Sequence, residues 1–306
     1  MTSSEKLSAW LQLLRVPNLF TVPGDPLAGF CLAAVAVNTD VAFSSIKFFS
    51  VLLIGLLSYC AGLLQNDYFD LKEDRRDRPS RPLPADKVAP TTVIIVSSFL
   101  AAACIAIAFL VGIATGITAF ALVLVITIYN RSAKHVPIVG PFFMGLCRGL
   151  SFLLGASVLG WSGIIEPASI IGSVSLTLYI AAVTIIAAGE TVSYRSGALR
   201  WGPVVILLAC FSGLYFLVRP SSLLALPVSA VLAVLSCCWA LYCGGLLKTG
   251  APPAVVQKTI GRFLRGLLLI QAAIIALSGY PGFIVVIILL AAWPVSQKLA
   301  RHFYES

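Results

Sequence analysis

The chain has 306 residues, of which 59% are hydrophobic and 11% charged, with a mean hydropathy of +0.99. A composition this apolar excludes an ordinary soluble domain. The net charge of +9 would suit a nucleic-acid binder, but its distribution along the chain argues for a membrane protein instead.

The first twenty residues are basic and mixed, without the short apolar core and small-residue cleavage site of a signal peptide. Apolar runs near the length needed to cross a bilayer then recur to the C-terminus. They are predicted at 18–38, 46–66, 91–112, 114–130, 137–159, 168–189, 202–218, 223–247, 262–279 and 282–299. The expected fold is all-α: one polytopic membrane domain over residues 1–306, with nine to ten transmembrane helices. Alternating the loops between two sides puts eighteen Lys and Arg residues on the N-terminal side and only Lys47 and Arg219 on the other. This positive-inside bias predicts a cytoplasmic N-terminus, an even number of crossings and a cytoplasmic C-terminus.

The second span ends in the richest polar stretch of the chain. Six of the twelve acidic residues lie between Asp67 and Asp86. Asn66, Asp70 and Asp74 are spaced i, i+4 and i+8, so a helix aligns them on one stripe with Asp67 beside them. Oxygen donors stacked at a membrane surface suit Mg²⁺, which commonly takes one or two carboxylates plus substrate phosphates. The alternative is a solvated acidic helix end balanced by the arginines that follow. Those arginines run through Arg75, Arg76, Arg78 and Arg81, and the prolines beside Arg78 and Arg81 restrict their backbone. A rigid basic loop of this kind can fold over an anionic head group, or can simply set topology.

Further cytoplasmic connections add to this constellation. Tyr129, Asn130, Arg131 and Lys134 end the fourth span and offer hydrogen bonds and positive charge to a phosphate, or serve as interfacial anchors. The sixth span ends in Gly189-Glu190-Thr191, where Glu190 is a second metal ligand, a partner for an arginine, or an interfacial charge. Residues Lys248 to Arg265 are basic without an acid, which suits topology or anionic lipid. Within the spans, Asp25 and Arg148 are ionisable groups of the kind that face a cavity or one another. They either pair inside the bundle or, in the case of Asp25, lie near a boundary beside Pro23, Gly24 and Pro26. A structural role is preferred for both. The eight cysteines are scattered through apolar spans without a CxxC, and read as packing residues.

Taken together, these residues resemble the UbiA superfamily of intramembrane prenyltransferases. Leu14-Arg15-Val16-Pro17-Asn18 resembles the family's opening segment. Asn66-Asp67-x-x-Asp70-x-x-x-Asp74 with Arg78-Pro79-x-Arg81-Pro82 resembles its first aspartate motif, and Tyr129 with Lys134-His135 its Tyr…Lys element. The resemblance implies a helical bundle around a central lipid-accessible cavity. It also implies Mg²⁺-dependent transfer of an isoprenyl group from a prenyl diphosphate to a lipophilic, aromatic acceptor. By that resemblance Asn66, Asp70, Asp74 and Glu190 hold metal, and Arg78, Arg81, Arg131 and Lys134 bind the diphosphate. Asp67, Asp70, Asp74, Tyr129 and Lys134 would carry the catalytic work.

Two departures stand out. The family usually has a second aspartate-rich motif at the sixth span, where this chain has only Glu190, and it commonly has nine helices. The Gly-Glu segment, together with Thr21 to Gly29, is similar to a UbiA-like subgroup named EboC, from bacterial gene clusters linked to metabolite export; that subgroup implies a bacterial plasma membrane. The reduced second motif supports another reading, a non-catalytic protein that binds or helps export a prenylated or other lipophilic metabolite. A transporter fits less well, because the charges gather on one face and not at the bilayer midplane.

Overall fold

The computed structural model describes residues 3–15, 19, 22–37, 46–188, 197–220 and 222–304. In chain order the helices are α1 (Ser3–Leu13), α2 (Gly24–Ala36), α3 (Ile46–Phe69), α4 (Leu71–Asp77), α5 (Pro90–Val111), α6 (Ile113–Arg131) and α7 (Val139–Ser157). They are followed by α8 (Trp161–Ile165), α9 (Pro167–Ala187), α10 (Gly202–Leu217), α11 (Ala225–Leu246), α12 (Pro253–Ala276) and α13 (Tyr280–Tyr304). The described residues contain eight helices long and apolar enough to cross a membrane, and two shorter apolar helices in α2 and α13. Those ten fall on the ten predicted spans. The chain is an integral, multi-pass membrane protein.

Two boundaries differ from expectation. Helix α2 begins only at Gly24, and its thirteen residues are too few to cross a bilayer unaided. It has no need to, because every residue from Gly24 to Val35 is buried by protein. The other difference is α12, which begins at Pro253 and not near 262. Its first turns carry Gln257 and Lys258 and face partly outward, so they lack an apolar signal while remaining helical.

The helices follow one another around the molecule: α3 packs on α5, α5 on α6, α6 on α7, α7 on α9, α9 on α10, α10 on α11, and α11 on α12. Helix α2 fills the middle, touching α7, α12, α3 and α9. Lipid tails are as apolar as leucine, so packing within a membrane depends on close approach and interhelical hydrogen bonds. Both are present along α7. A Cβ on Gly145 would collide with the Thr177 carbonyl of α9, and one on Gly155 with the Pro26 carbonyl of α2. Ser173 on α9 donates to the Gly149 carbonyl at 3.0 Å. Large apolar side chains such as Phe99, Leu110 and Phe216 point outward, 71%, 87% and 89% exposed, as a lipid-facing surface requires.

Since successive spans reverse direction, the ends of α3, α6, α9 and α11 share one face with the starts of α5, α7, α10 and α12. One contact across that face shows it directly: Arg200, just before α10, donates from Nη1 to the Leu247 carbonyl just after α11 at 2.9 Å. The acidic stripe and the basic loops therefore lie on a common side.

Candidate functional site

The stripe predicted from spacing is physically continuous. Asp70 N donates to Asn66 O at 2.9 Å, Asp74 N to Asp70 O at 2.8 Å, and Arg78 N to Asp74 O at 2.8 Å. The helical ladder thus runs through the nominal break between α3 and α4, and Asn66, Asp70 and Asp74 stand one turn apart.

Each carboxylate of the motif is held by a base from a different part of the chain. Asp67 accepts from Arg15 Nη2 at 2.9 Å. Asp70 accepts from Lys134. Asp74 accepts from Arg81 Nη1 at 2.7 Å, with Arg78 Nη1 farther off at 3.9 Å. Asp67 and Asp74 are buried, whereas the Asp70 side chain keeps 20% of its surface. Burial of a carboxylate is costly unless it is paired and hydrogen-bonded, and these are.

Local structure sets each of these bases. Arg15 follows the end of α1 with φ of 45°, a left-handed conformation costly for any residue but glycine. Lys134 sits in a single 3-10 turn, Ala133–His135, immediately after α6. Arg81 lies in a loop pinned by the buried Leu83, which packs with Ala9 and Leu13 of α1 and with Leu64 and Val93. Ala85 N to Arg81 O at 2.9 Å and Lys87 N to Pro82 O at 2.9 Å close the turns of that loop. Arg76 and Asp77 are solvated and pair with each other, and the Arg76 hydrogen bond holds the Asp77 carboxyl below the usual carboxylate range.

Below the stripe, a cavity of about 160 Å³ opens between α3, α6 and α7. Its lining includes Asn66, Tyr129 and Arg15 together with Arg148 and apolar positions such as Leu122 and Ile126. Asn130 donates to the Gly62 carbonyl at 2.9 Å and ties α6 to α3 beside it. Arg148 reaches Asp25 Oδ2 from Nε at 2.6 Å, and Gln271 of α12 donates to the other Asp25 oxygen at 2.6 Å.

Of the residues expected at the site, Asn66, Asp67, Asp70, Asp74, Arg78, Arg81, Tyr129 and Lys134 thus come together at the end of α3 and around the cavity below it. Arg131 is exposed on the last turn of α6 and makes none of these pairs. Glu190 lies outside the described residues. Sequence reasoning counted Arg15 toward topology and toward the opening motif but not toward the site. The Pro17 that follows Arg15 closely in the sequence was the available signal.

A family model described as the UbiA prenyltransferase family matches residues 27–259, about three quarters of the chain. The chain belongs to that UbiA family. Among sequence relatives, the digeranylgeranylglyceryl phosphate synthase of Methanococcoides burtonii is 31% identical over 161 residues, covering 52% of this chain and 57% of the relative. The synthase of the same name from Methanosarcina mazei is 31% identical over 174 residues, covering 53% of this chain and 58% of the relative. The chain therefore spans little more than half the length of these curated relatives. Solved UbiA structures share the fold. A structure described for digeranylgeranylglyceryl phosphate synthase in membranes superposes with a TM-score of 0.64 at 20% identity, covering 90% of this chain and 99% of the other. A UbiA homolog from Archaeoglobus fulgidus bound to DMAPP and Mg²⁺ gives a TM-score of 0.55 at 14% identity, covering 89% and 99%.

Proposed function

We propose that this protein is an intramembrane prenyltransferase that moves an isoprenyl group from a prenyl diphosphate to a lipophilic acceptor. The observation that carries the reading is the ladder of Asp67–Arg15, Asp70–Lys134 and Asp74–Arg81 set over an apolar cavity. Carboxylates and cations interleaved at a membrane surface can hold both a divalent metal and the diphosphate it bridges. The apolar walls beneath keep water from a reactive carbocation.

The donor set fits Mg²⁺. Asn66, Asp70 and Asp74 offer hard oxygens one helical turn apart, and the homolog bound to DMAPP and Mg²⁺ shares the fold. Among the described residues no three carboxylate, histidine or cysteine groups converge on one point. Two carboxylates and an amide would hold the metal from the protein side, leaving the rest of its oxygen ligands to substrate phosphate and water. When bound, the metal neutralises charge that develops on the departing diphosphate.

The side chains perform the remaining work. As the C1–O bond of the donor breaks, the electron pair leaves with the diphosphate. Lys134, Arg81 and Arg78 then turn from their carboxylates toward its oxygens and stabilise them. Tyr129, at the cavity wall, supplies the ring that would stabilise positive charge developing on the allylic carbon. The acceptor nucleophile forms the new bond to C1 and gives up its proton to the released diphosphate. The archaeal relatives are named for a glyceryl phosphate product, so the acceptor class includes glycerol-phosphate lipids as well as aromatic compounds. The positive-inside distribution supports a cytoplasmic side for the stripe and both termini.

The test uses purified protein in lipid nanodiscs with radiolabelled geranylgeranyl diphosphate, Mg²⁺ and a lipid extract as acceptor source. Wild-type protein is expected to release diphosphate, with loss on chelation by EDTA. Asp70→Asn and Asp74→Asn are each expected to lower the rate at least ~100-fold. Unchanged turnover in either variant would sink the assignment. Donor binding without any product would favour the non-catalytic carrier.

A further inference from the structure

The Asp25–Arg148 pair has an unused side. Asp25 is fully buried in the first turn of α2, clamped by Arg148 from α7 and Gln271 from α12. The Arg148 side chain also lines the cavity, and its Nη2 is buried and makes no hydrogen bond among the described residues. A buried guanidinium N–H left unpaired is costly, so the position favours an acceptor supplied by a ligand. The planar fork of arginine can bind one oxyanion along one edge while offering the other edge to a second.

The surroundings favour a negative ligand. Arg15 lines the same cavity, as do the hydroxyl-bearing Ser58, Tyr59 and Ser151, and no carboxylate is among the described lining residues. Depth separates this position from the diphosphate end. Neither Asp70, Asp74, Lys134 nor Arg81 lines the cavity, whose wall on α3 runs from Asn66 down to Gly55. Eleven residues of helix span about 16 Å. Arg148, nine residues into α7, lies about 13 Å along that helix from its surface end.

We propose that Arg148 is a specificity-determining residue: its free edge binds an oxyanion, carboxylate or phosphate, on the head of the acceptor. Asp25 and Gln271 hold the guanidinium in place for this. The proposal rests on the prenyl-transfer reading for the acceptor's fate, but the binding of the anion can be measured apart from turnover.

The experiment compares wild type with the double variant Asp25→Asn/Arg148→Met and with Arg148→Lys, all in nanodiscs. Calorimetry reads the binding of two probe pairs: hexadecylglycerol phosphate against hexadecylglycerol, and hydroxybenzoate against its methyl ester. Unfolding temperature and geranylgeranyl diphosphate binding are read on the same samples. Replacing both members of a buried ion pair together is commonly neutral for stability, so the double variant is expected to stay folded and to keep its affinity for the prenyl diphosphate. Its affinity for the anionic probe is expected to fall about ten-fold or more, with an intermediate loss in Arg148→Lys. The phosphate and carboxylate pairs tell the two anion sources apart.

Equal binding of charged and neutral probes by wild type overturns the proposal. So does unchanged anion affinity in a folded double variant, which leaves the pair a purely structural role. If the double variant does not fold, Arg148→Lys decides, and unchanged affinity there overturns the proposal as well. Arg148-dependent anion binding in a protein that never turns over rejects the transfer reaction and keeps the site.

Discussion

The halves of the molecule are built from similar apolar helices but handle charge in opposite ways. In the first half, arginine and lysine side chains meet carboxylates: Arg15 on Asp67, Lys134 on Asp70, Arg81 on Asp74 and Arg148 on Asp25. In the second, the sequence between Glu190 and Glu305 contains nine Lys and Arg residues and no acid. There Arg200 and Arg262 rest on aromatic faces, and Arg200 also donates to a carbonyl. Arg200 lies over the Trp201 ring at 4.8 Å and Arg262 over Tyr242 at 6.0 Å. A cation on a ring or a carbonyl orients a helix end at the membrane surface. Cations interleaved with carboxylates can also trade partners, and that exchange is what a metal–diphosphate ligand requires. Under the proposed function, the chemistry falls to the first half and orientation to the second.

Three substitutions bear on that contrast, in addition to those already proposed. The largest effect is expected at Lys134→Met, which removes a cation from the diphosphate and leaves Asp70 without its base. Its kcat for diphosphate release should fall about 100-fold; a fall under ten-fold would mean that the first-half pairs are scaffolding. Next is Gly149→Val, where an added side chain would strike Thr177 Oγ1 and the Ser173 carbonyl on α9. Overpacking of this kind costs about 1–3 kcal/mol, to be seen as a lower thermal unfolding temperature without a change in metal dependence. Smallest is Arg262→Ala, which loses a contact to Tyr242 worth about 0.5–1 kcal/mol at an exposed site. Its turnover should stay within about two-fold of wild type in a single-turnover assay. A loss matching that of Lys134→Met would erase the distinction between the halves.

Much of this was legible in the sequence because membranes simplify the code. Length and apolarity alone gave ten helices, and the i, i+4, i+8 spacing gave a stripe that the backbone hydrogen bonds reproduce. What spacing along one helix cannot give is the partner from another. Arg15 and Asp67 are separated by 52 residues, and Lys134 and Asp70 by 64, so only packing shows that each base belongs to its acid. Asp25 and Arg148 were conspicuous by their cost in a bilayer. Gln271 was much less so, because a neutral amide in an apolar helix leaves little trace. The start of α12 was misjudged for a related reason, since Lys258 interrupts the apolar run while the helix continues through it.

Helix α2 carries a consequence for how the protein is made. Among the described apolar helices it comes first in chain order, yet Gly24 to Val35 are buried by protein, and the amide that completes the Asp25 clamp comes from 246 residues later. Until α7 and α12 have entered the membrane, the nascent chain holds a short helix with an unsatisfied carboxylate and no lipid-adapted surface. An element that precedes most of its packing partners in the chain is thus enclosed only after they arrive. A chain that stalls before α12 lacks Gln271 to finish the clamp, so its unfinished state exposes a feature that membrane quality control can recognise.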